Sequence, residues 1–305
     1  MTNATAAYPD RPLRFIVPSA AGGAADINAR LLAAELAKLL GQQIVVDNRP
    51  GAAGSIGMEL IARAAPDGYN IGYGTSAALA INRTLLARLP YDPEKDFQMV
   101  ALMGYQPNLL AVAPSLPVKS VQELIVYAKN NPGKLSYGSS GSGTPPHLGM
   151  EMFKHMTGTQ MVHVPYKAAQ QAIAEMIAGQ VHLLFDNFGS IVPHVKGGRI
   201  RGIGVTSKKR SPALPELPTL DEAGVPGFEL TAWGGVVVPT GVLKTMVTKL
   251  NAEINRALVA PSLKEKVSLF GYEVAGGTPA QFTEHVKKES AKWADVIKRS
   301  GVKVD

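Results

Sequence analysis

The chain has no cysteine. That excludes disulfides, iron–sulfur clusters, thiolate metal sites and a cysteine nucleophile. It also lacks any apolar run of about 18 residues, the length a membrane-crossing helix needs. Charge is scarce: 18% of the 305 residues are Asp, Glu, Lys or Arg, against 46% hydrophobic. That balance buries a core and argues against a disordered chain. Thirty-one basic residues against 24 acidic ones leave a net +7. The excess is spread thinly, and its densest run is Lys208-Lys209-Arg210. A nucleic-acid binder would carry a longer basic stripe with aromatics interleaved, so nucleic acid is not the expected partner. The first ten residues, MTNATAAYPD, contain neither a basic nor an apolar signal region. Ala4 to Ala7 behind Met1 read either as the remnant of a cleavage site or as an ordinary start.

What is present is alternation. Leu13–Val17 is a β-rich run, followed by the small-residue stretch Ser19 to Asp26. Ile27, Leu31, Leu32, Leu36, Leu39 and Leu40 then recur with a helical period that stops at Gly41. Strands are expected at Gln43–Val46 and Tyr69–Tyr73, the latter after the Asp67-Gly68 turn. Further strands are expected at Met99–Met103, Leu109–Ala113, Leu135–Tyr137, Met161–Val164, Val181–Phe185, Ile200–Val205, Gly235–Val238 and Tyr272–Val274. Helices fall at Val121–Lys129, from about Thr144 to Met156, at Ala168–Ala178 and at Ile191–Lys196. In the tail they fall at Val242–Val259, Ser262–Phe270 and Pro279–Arg299. Strands alternating with helices predict an α/β chain of parallel βαβ units. Four prolines between Ser211 and Phe228 mark a long connection. The helical tail is too small for a separate domain and is expected to pack back on the first sheet. This gives two lobes: 1–110 with 228–305, and 111–227.

In parallel sheets, ligands sit beyond the carboxyl ends of the strands. Three loops have that position: Ser19, Ala20, Ala21, Gly22, Gly23, Ala24 and on to Asp26; Gly74-Thr75-Ser76; and Ser139 to Thr144, through Ser140, Gly141, Ser142 and Gly143. Each presents main-chain N–H groups near a helix start, an arrangement that attracts anions. Asp26 would repel an anion and is expected to order its loop. Asp186, at the end of an apolar strand, could accept a hydrogen bond from a ligand amine or hydroxyl, or cap the next helix with Asn187. Lys167 could pair with an acidic ligand, and Tyr166 and Trp233 could wall a pocket or belong to the core.

Enzyme signatures fail. Gly138-Ser139-Ser140-Gly141-Ser142 and Gly74-Thr75-Ser76-Ala77-Ala78 both miss the last glycine of a nucleophile elbow. Neither the dinucleotide fingerprint nor the phosphate loop occurs. His147, Glu151 and His155 share a helical face but drift along it, which is poor geometry for a metal. No cofactor and no metal is expected. A rival class is a hydrolase using Ser76 or Ser140 with His147.

Several segments together resemble one family. They are Tyr8-Pro9-Asp10-Arg11-Pro12, Ala21 to Asp26, Val46 to Gly54, Pro66-Asp67-Gly68-Tyr69, Leu89-Pro90-Tyr91-Asp92, Val164-Pro165-Tyr166-Lys167 and Pro218 to Glu222. They look like Bug-type solute-binding proteins, the extracytoplasmic receptors of tripartite tricarboxylate transporters, from about residue 8 to the C-terminus. The resemblance implies a two-lobed periplasmic-binding-protein fold of type II, with mixed, mostly parallel sheets flanked by helices. It implies a monomer that holds a small organic carboxylate (a dicarboxylate, amino acid or aromatic acid) between lobes that close on a hinge. Loops matching Ser19 to Asp26, Thr75-Ser76 and Ser140 to Thr144 would contact it. It implies two integral-membrane transporter subunits as partners and export to the periplasm, Met1 replacing a removed signal peptide. A sensor role through the same cleft is the neighbouring alternative. Two departures stand out. Ser19, Ala20 and Ala24 replace the aromatic and proline residues common in the first loop, hinting at room for an aromatic acid. Ala168-Ala169-Gln170-Gln171 follows Lys167 where the family commonly has glycine.

Overall fold

The computed structural model describes residues 8–268 and 271–302. The expectations for Met1 and for Ala4 to Ala7 lie outside these residues, as does the end of the helix expected to reach Phe270. The chain divides into two compact units. Unit 1 runs up to Tyr105 and takes in Trp233–Ser268 and Glu273–Trp293. Unit 2 is Gln106–Ala232, joined by Gly271, Tyr272 and the residues from Ala294. The unit boundaries therefore fall at 105/106 and 232/233, against 110/111 and 227/228 in the sequence reading.

In unit 1, β1 (Leu13–Val17) pairs in parallel with both β2 (Ile44–Asn48) and β3 (Asn70–Thr75). Beyond β3 lies β9 (Thr231–Pro239), antiparallel to it, and then β4 (Phe97–Val112), whose edge carries β10 (Glu273–Val274). The order is β2-β1-β3-β9-β4. Phe15, Ile16 and Ile71 are fully buried, as expected of strands covered on both faces. Helix α1 (Ala24–Leu40) buries Leu32 and Leu36 and packs on α8 (Lys244–Val259) and α9 (Pro261–Ser268). Gly41 ends α1 in the left-handed conformation.

In unit 2, the second half of β4 lies between β7 (Leu183–Asn187) and β8 (Arg201–Val205), antiparallel to both. Next to β7 come β5 (Leu135–Ser139) and β6 (Met161–Pro165), parallel. Leu109, Leu184, Phe188 and Ile191 belong to a core with α6 (Ala169–Ile177) and α7 (Phe188–Lys196). Phe185, Phe153 and Phe228 pack edge-on and stacked under α5 (Pro145–Thr157).

Two strands were expected where β4 is one. Gly104 to Pro107 looks like a break, and Pro107 offers no ladder N–H. The partners change there instead: β10 pairs with Gly104 and Tyr105, while β7 and β8 take over from Asn108 and Leu109. The chain stays extended because the proline falls between ladders. The helix at Ser55–Ala62, and the helical stretch Ala77–Ile81 that runs into α3 (Asn82–Leu85), had no bounds in the sequence reading. The other described elements, α4 (Val121–Asn130) among them, differ from it by at most four residues at their ends, where hydrogen bonding rather than hydrophobic periodicity decides the boundary.

Helix α2 (Ser55–Ala62) has a close approach of backbones. A Cβ at Gly57 would lie 2.8 Å from the Arg49 carbonyl oxygen and 2.8 Å from Pro18 Cα. Gly57 is what lets α2 sit against the turns after β1 and β2. Gly57→Ala is expected to cost about 1–3 kcal/mol through forced backbone movement. Urea unfolding checks this, and a loss under about 0.5 kcal/mol, the size of an ordinary surface change, would contradict it.

Candidate functional site

Parallel pairing puts the turns after β1, β2 and β3 on one edge of unit 1. The turn after β1 contains Ser19, Ala20, Ala21, Gly22 and Gly23, then opens α1. Asp26 ties it down. The carboxylate is 3% exposed and accepts from Gly22 N–H at 2.8 Å, Asn48 Nδ2 at 2.9 Å and Arg30 Nε at 3.0 Å. Asn48 Nδ2 also donates to the Ser19 carbonyl. Burial pushes the Asp26 carboxyl up, but the hydrogen bonds from Arg30, Gly22 N–H and Asn48 outweigh it and hold it below its ordinary value. The expected ordering role of Asp26 is what the geometry displays.

Gly22 N–H is spent on Asp26, and Gly23 N–H on the Ala20 carbonyl. Gly23 is the N-cap of α1 in an extended conformation, with no side-chain cap. The first-turn N–H groups of α1, at Ala24, Ala25 and Asp26, accordingly have no protein acceptor among the described residues. Ala20, Ala21, Gly22 and Ala24 are exposed. Ser19 Oγ is buried without a partner. On the neighbouring turn, Thr75 Oγ1 accepts from Ala78 N–H at 3.2 Å, and Ser76 is buried at the start of a short helical turn. Asn82 Nδ2 donates to the Ala53 carbonyl after β2.

In unit 2 the turns after β5 and β6 and the ends of β7 and β4 share another edge. The register sets Ser139 beside Pro165, Gly138 beside Leu184 and Leu109 beside Asp186. The loop Ser140, Gly141, Ser142, Gly143, Thr144 was expected to offer main-chain donors; most are spent. Gly141 N–H goes to Ser139 Oγ, Gly143 N–H to His147 Nδ1, and Thr144 N–H to the Gly141 carbonyl. Pro145 and Pro146, at the start of α5, remove two more. The amides of Ser140 and Ser142 remain, with the hydroxyls of both.

His147 thus holds the loop. Its ring is 5% exposed and stacks on His163 at 3.8 Å between centroids and 9° between planes. His163 lies 4.9 Å from Tyr137 and pairs with Ser139 Oγ at 2.7 Å. Tyr137 donates to Glu151, which Lys154 pairs at 2.7 Å. Burial, then the neighbouring His163, pushes the His147 pKa down to about 4. Burial also lowers His163. Both shifts favour neutral rings near pH 7, which His147 Nδ1 needs in order to accept the Gly143 N–H. Glu151 is committed to Tyr137 and Lys154, and His155 faces Arg299, so the three side chains of the expected face His147/Glu151/His155 turn to separate partners. Ser139, paired with a histidine, is 1% exposed and hydrogen-bonded to Gly141, an inaccessible hydroxyl rather than a nucleophile.

Asp186 is 3% exposed, and burial raises its pKa to about 6. Its Oδ1 accepts the Asn187 N–H at 2.7 Å, at the entry to α7. Tyr166 is half-buried against the α6/α7 core. Lys167 is exposed and has no ion-pair partner among the described residues. Trp233 belongs to the core of unit 1, against Phe282 and His285, with Nε1 bonded to Glu289. Sequence reasoning missed Asn48, His163 and Asn108, and took Asn187 only as a helix cap; each is a polar residue inside a largely apolar strand, which was the available signal.

Two kinds of likeness, to a family and to solved structures, bear on the whole chain. The family described as tripartite tricarboxylate transporter family receptor, TctC, matches residues 28–302. The structure of Rpa4515 of R. palustris with adipate is 40% identical, with a TM-score of 0.88 over 97% of this chain and 99% of that one. Periplasmic binding protein BugD is 34% identical, with a TM-score of 0.84 over 97% and 99%. MatC of Rhodopseudomonas palustris with bound malate is 31% identical, with a TM-score of 0.82 over 95% and 100%. All three cover the α/β fold almost end to end.

The neutral histidine pair carries a pH consequence. The unfolded chain protonates an imidazole near pH 6.5, whereas folded His147 resists to about 4. Folding stability should therefore be full above pH 6.5 and fall as pH drops from 6.5 towards 4. In His147→Phe the stack is kept and the titration removed. The stability gap between the two proteins, from urea unfolding at pH 7, 5.5 and 4.5, should shift in the variant's favour on acidification. A gap independent of pH would refute the assignment.

Proposed function

The chain belongs to the tripartite tricarboxylate transporter receptor family, whose members are solute-binding receptors and not enzymes, and from that premise we propose that it captures a small organic dicarboxylate in the periplasm for two membrane subunits. Capture proceeds by closure of the two units on the acid, binding favouring the closed state that the membrane partner reads. The observation that carries the reading is the first turn of α1. It presents consecutive main-chain donors, uncapped, at the positive end of a 17-residue helix, on a loop already fixed by Asp26. Donors fixed in advance bind a carboxylate without paying to order it. Adipate in Rpa4515 and malate in MatC support a dicarboxylate, and the periplasmic designation of BugD supports the compartment.

A substitution isolates one donor. Proline is tolerated at the first position of a helix, and Gly23 already has the extended ψ of 164° that a following proline requires. Ala24→Pro therefore deletes one N–H with little change to the fold. A hydrogen bond to a charged group is worth about 1.5–3 kcal/mol, so affinity should fall about 10- to 100-fold with thermal stability almost unchanged. Calorimetry with C4 to C6 dicarboxylates measures it, after native mass spectrometry of fresh protein for a co-purified acid. Wild-type protein that binds none of these acids and carries none would sink the proposal.

A further inference from the structure

Asn108 and Asn187 stand directly opposite each other on β4 and β7. Opposite residues of an antiparallel pair project to the same face, their Cβ atoms about 5 Å apart. Asn108 is fully buried, yet neither its Nδ2 nor its Oδ1 has a partner. Asn187 is half-buried, and its Oδ1 is buried and unpartnered too. The backbones behind these amides are fully engaged. Thr206 Oγ1 accepts the Asn108 N–H at 2.7 Å and donates to the Asn108 carbonyl, which the Thr206 N–H also meets. Asp186 holds the Asn187 N–H, and Ser190 Oγ donates to the Asn187 carbonyl. The side chains are therefore rigidly carried while their polar ends are idle.

Buried polar groups without partners are rare, because each forfeits hydrogen bonds that water would supply. Three such atoms lie on this one cross-strand pair, and a polar guest could supply the partners they lack. The inventory sets the guest's chemistry. Two amide oxygens accept, and the Asn108 amide nitrogen donates through two hydrogens. A carboxylate, which only accepts, satisfies those hydrogens and leaves both oxygens idle. A hydroxyl donates to one oxygen and accepts from Nδ2; an ammonium donates to both oxygens. The pair also lies at the strand-end edge shared with Ser140 to Thr144, since Asn187 is three residues past the Gly138–Leu184 pairing.

We propose that Asn108 and Asn187 read a hydrogen-bond-donating substituent on the ligand, so that this chain prefers hydroxy- or amino-dicarboxylic acids to unsubstituted ones. The inference rests on the receptor reading above and deepens it. A site whose buried polar groups are paired by a substrate hydroxyl discriminates strongly against the analogue lacking it, because the analogue leaves them unpaired.

Two matched series test it by calorimetry: succinate, malate and aspartate; adipate, 2-hydroxyadipate and 2-aminoadipate. In at least one series a substituted acid should bind wild-type protein tenfold or more tightly than its bare parent. Asn108→Leu, close in volume, should narrow that ratio to under threefold, and it should raise the unfolding temperature of the ligand-free protein because idle polar atoms are gone. Asn187→Leu provides a second variant, expected to narrow the ratio should the first fail to fold. Bare parents binding as tightly as their substituted partners in both series would overturn this inference while leaving the receptor reading intact. So would folded variants that keep the wild-type ratio. Binding of no acid in either series would remove the receptor reading, and this inference with it.

Discussion

Parallel pairing of β1 with both its neighbours is the constraint from which the candidate site follows. Register fixes Val17 beside Asn48, and Ile16 beside Gly72. Three chain turns must therefore leave the sheet at one edge, and Asn48, the last residue of β2, reaches across to the Ser19 carbonyl and to Asp26. A slip of one residue would turn Asn48 to the other face and release both bonds. The loop's shape is thus a consequence of strand register, not of the loop's own sequence, which is nearly all alanine and glycine and encodes little by itself.

The strand-end edges of the two units leave different chemistry unspent. Unit 1 leaves main-chain amides unspent at the start of α1. Unit 2 spends most of its amides internally, on Ser139, His147 and Gly141, and deletes two with Pro145 and Pro146. What unit 2 leaves idle is side-chain chemistry: the hydroxyls of Ser140 and Ser142, and the amides of Asn108 and Asn187. Main-chain donors recognise negative charge of any kind. Side-chain amides, with both donor and acceptor, distinguish one substituent from another. In the proposed reading, general affinity and selectivity are therefore carried by different residues.

Much of this was legible in the sequence. Apolar runs and helical periods predict the βαβ alternation that the fold shows, and the small-residue turns do follow strands. Asp26 as an organiser followed from charge alone. What did not show was hydrogen-bond partnership. Gly141 and Gly143 look like free donors in the sequence, but whether an N–H is available depends on residues brought near by folding, here Ser139 and His147. His147 looked like a candidate for chemistry, beside a hydrolase serine or on a metal face, for the same reason, and the His163 ring that stacks on it lies sixteen residues away on β6. Trp233, a candidate pocket wall, is claimed by Phe282 and Glu289 from the distant α10 (Pro279–Ser300). Long-range partners decide the role of a side chain, and composition does not list them.

A buried carboxylate, Asp26, stands in the first turn of α1, where the proposed reading puts an anion, and its partners explain how it is tolerated. Arg30 Nε meets both Asp26 oxygens at about 3 Å, and its terminal nitrogen reaches Asn48 Oδ1. The charge is therefore neutralised locally by a residue one turn further along α1. The carboxylate can order the turn through Gly22 without opposing a guest at Ala24, since a paired charge acts at a distance only as a dipole. Arg30 is 52% exposed at its side chain, so it also keeps contact with solvent, where the net +7 of the chain favours the approach of anions. The arrangement separates two jobs that a single unpaired cation could not do together: fixing the loop, and leaving its amides as the only unspent donors at the helix start.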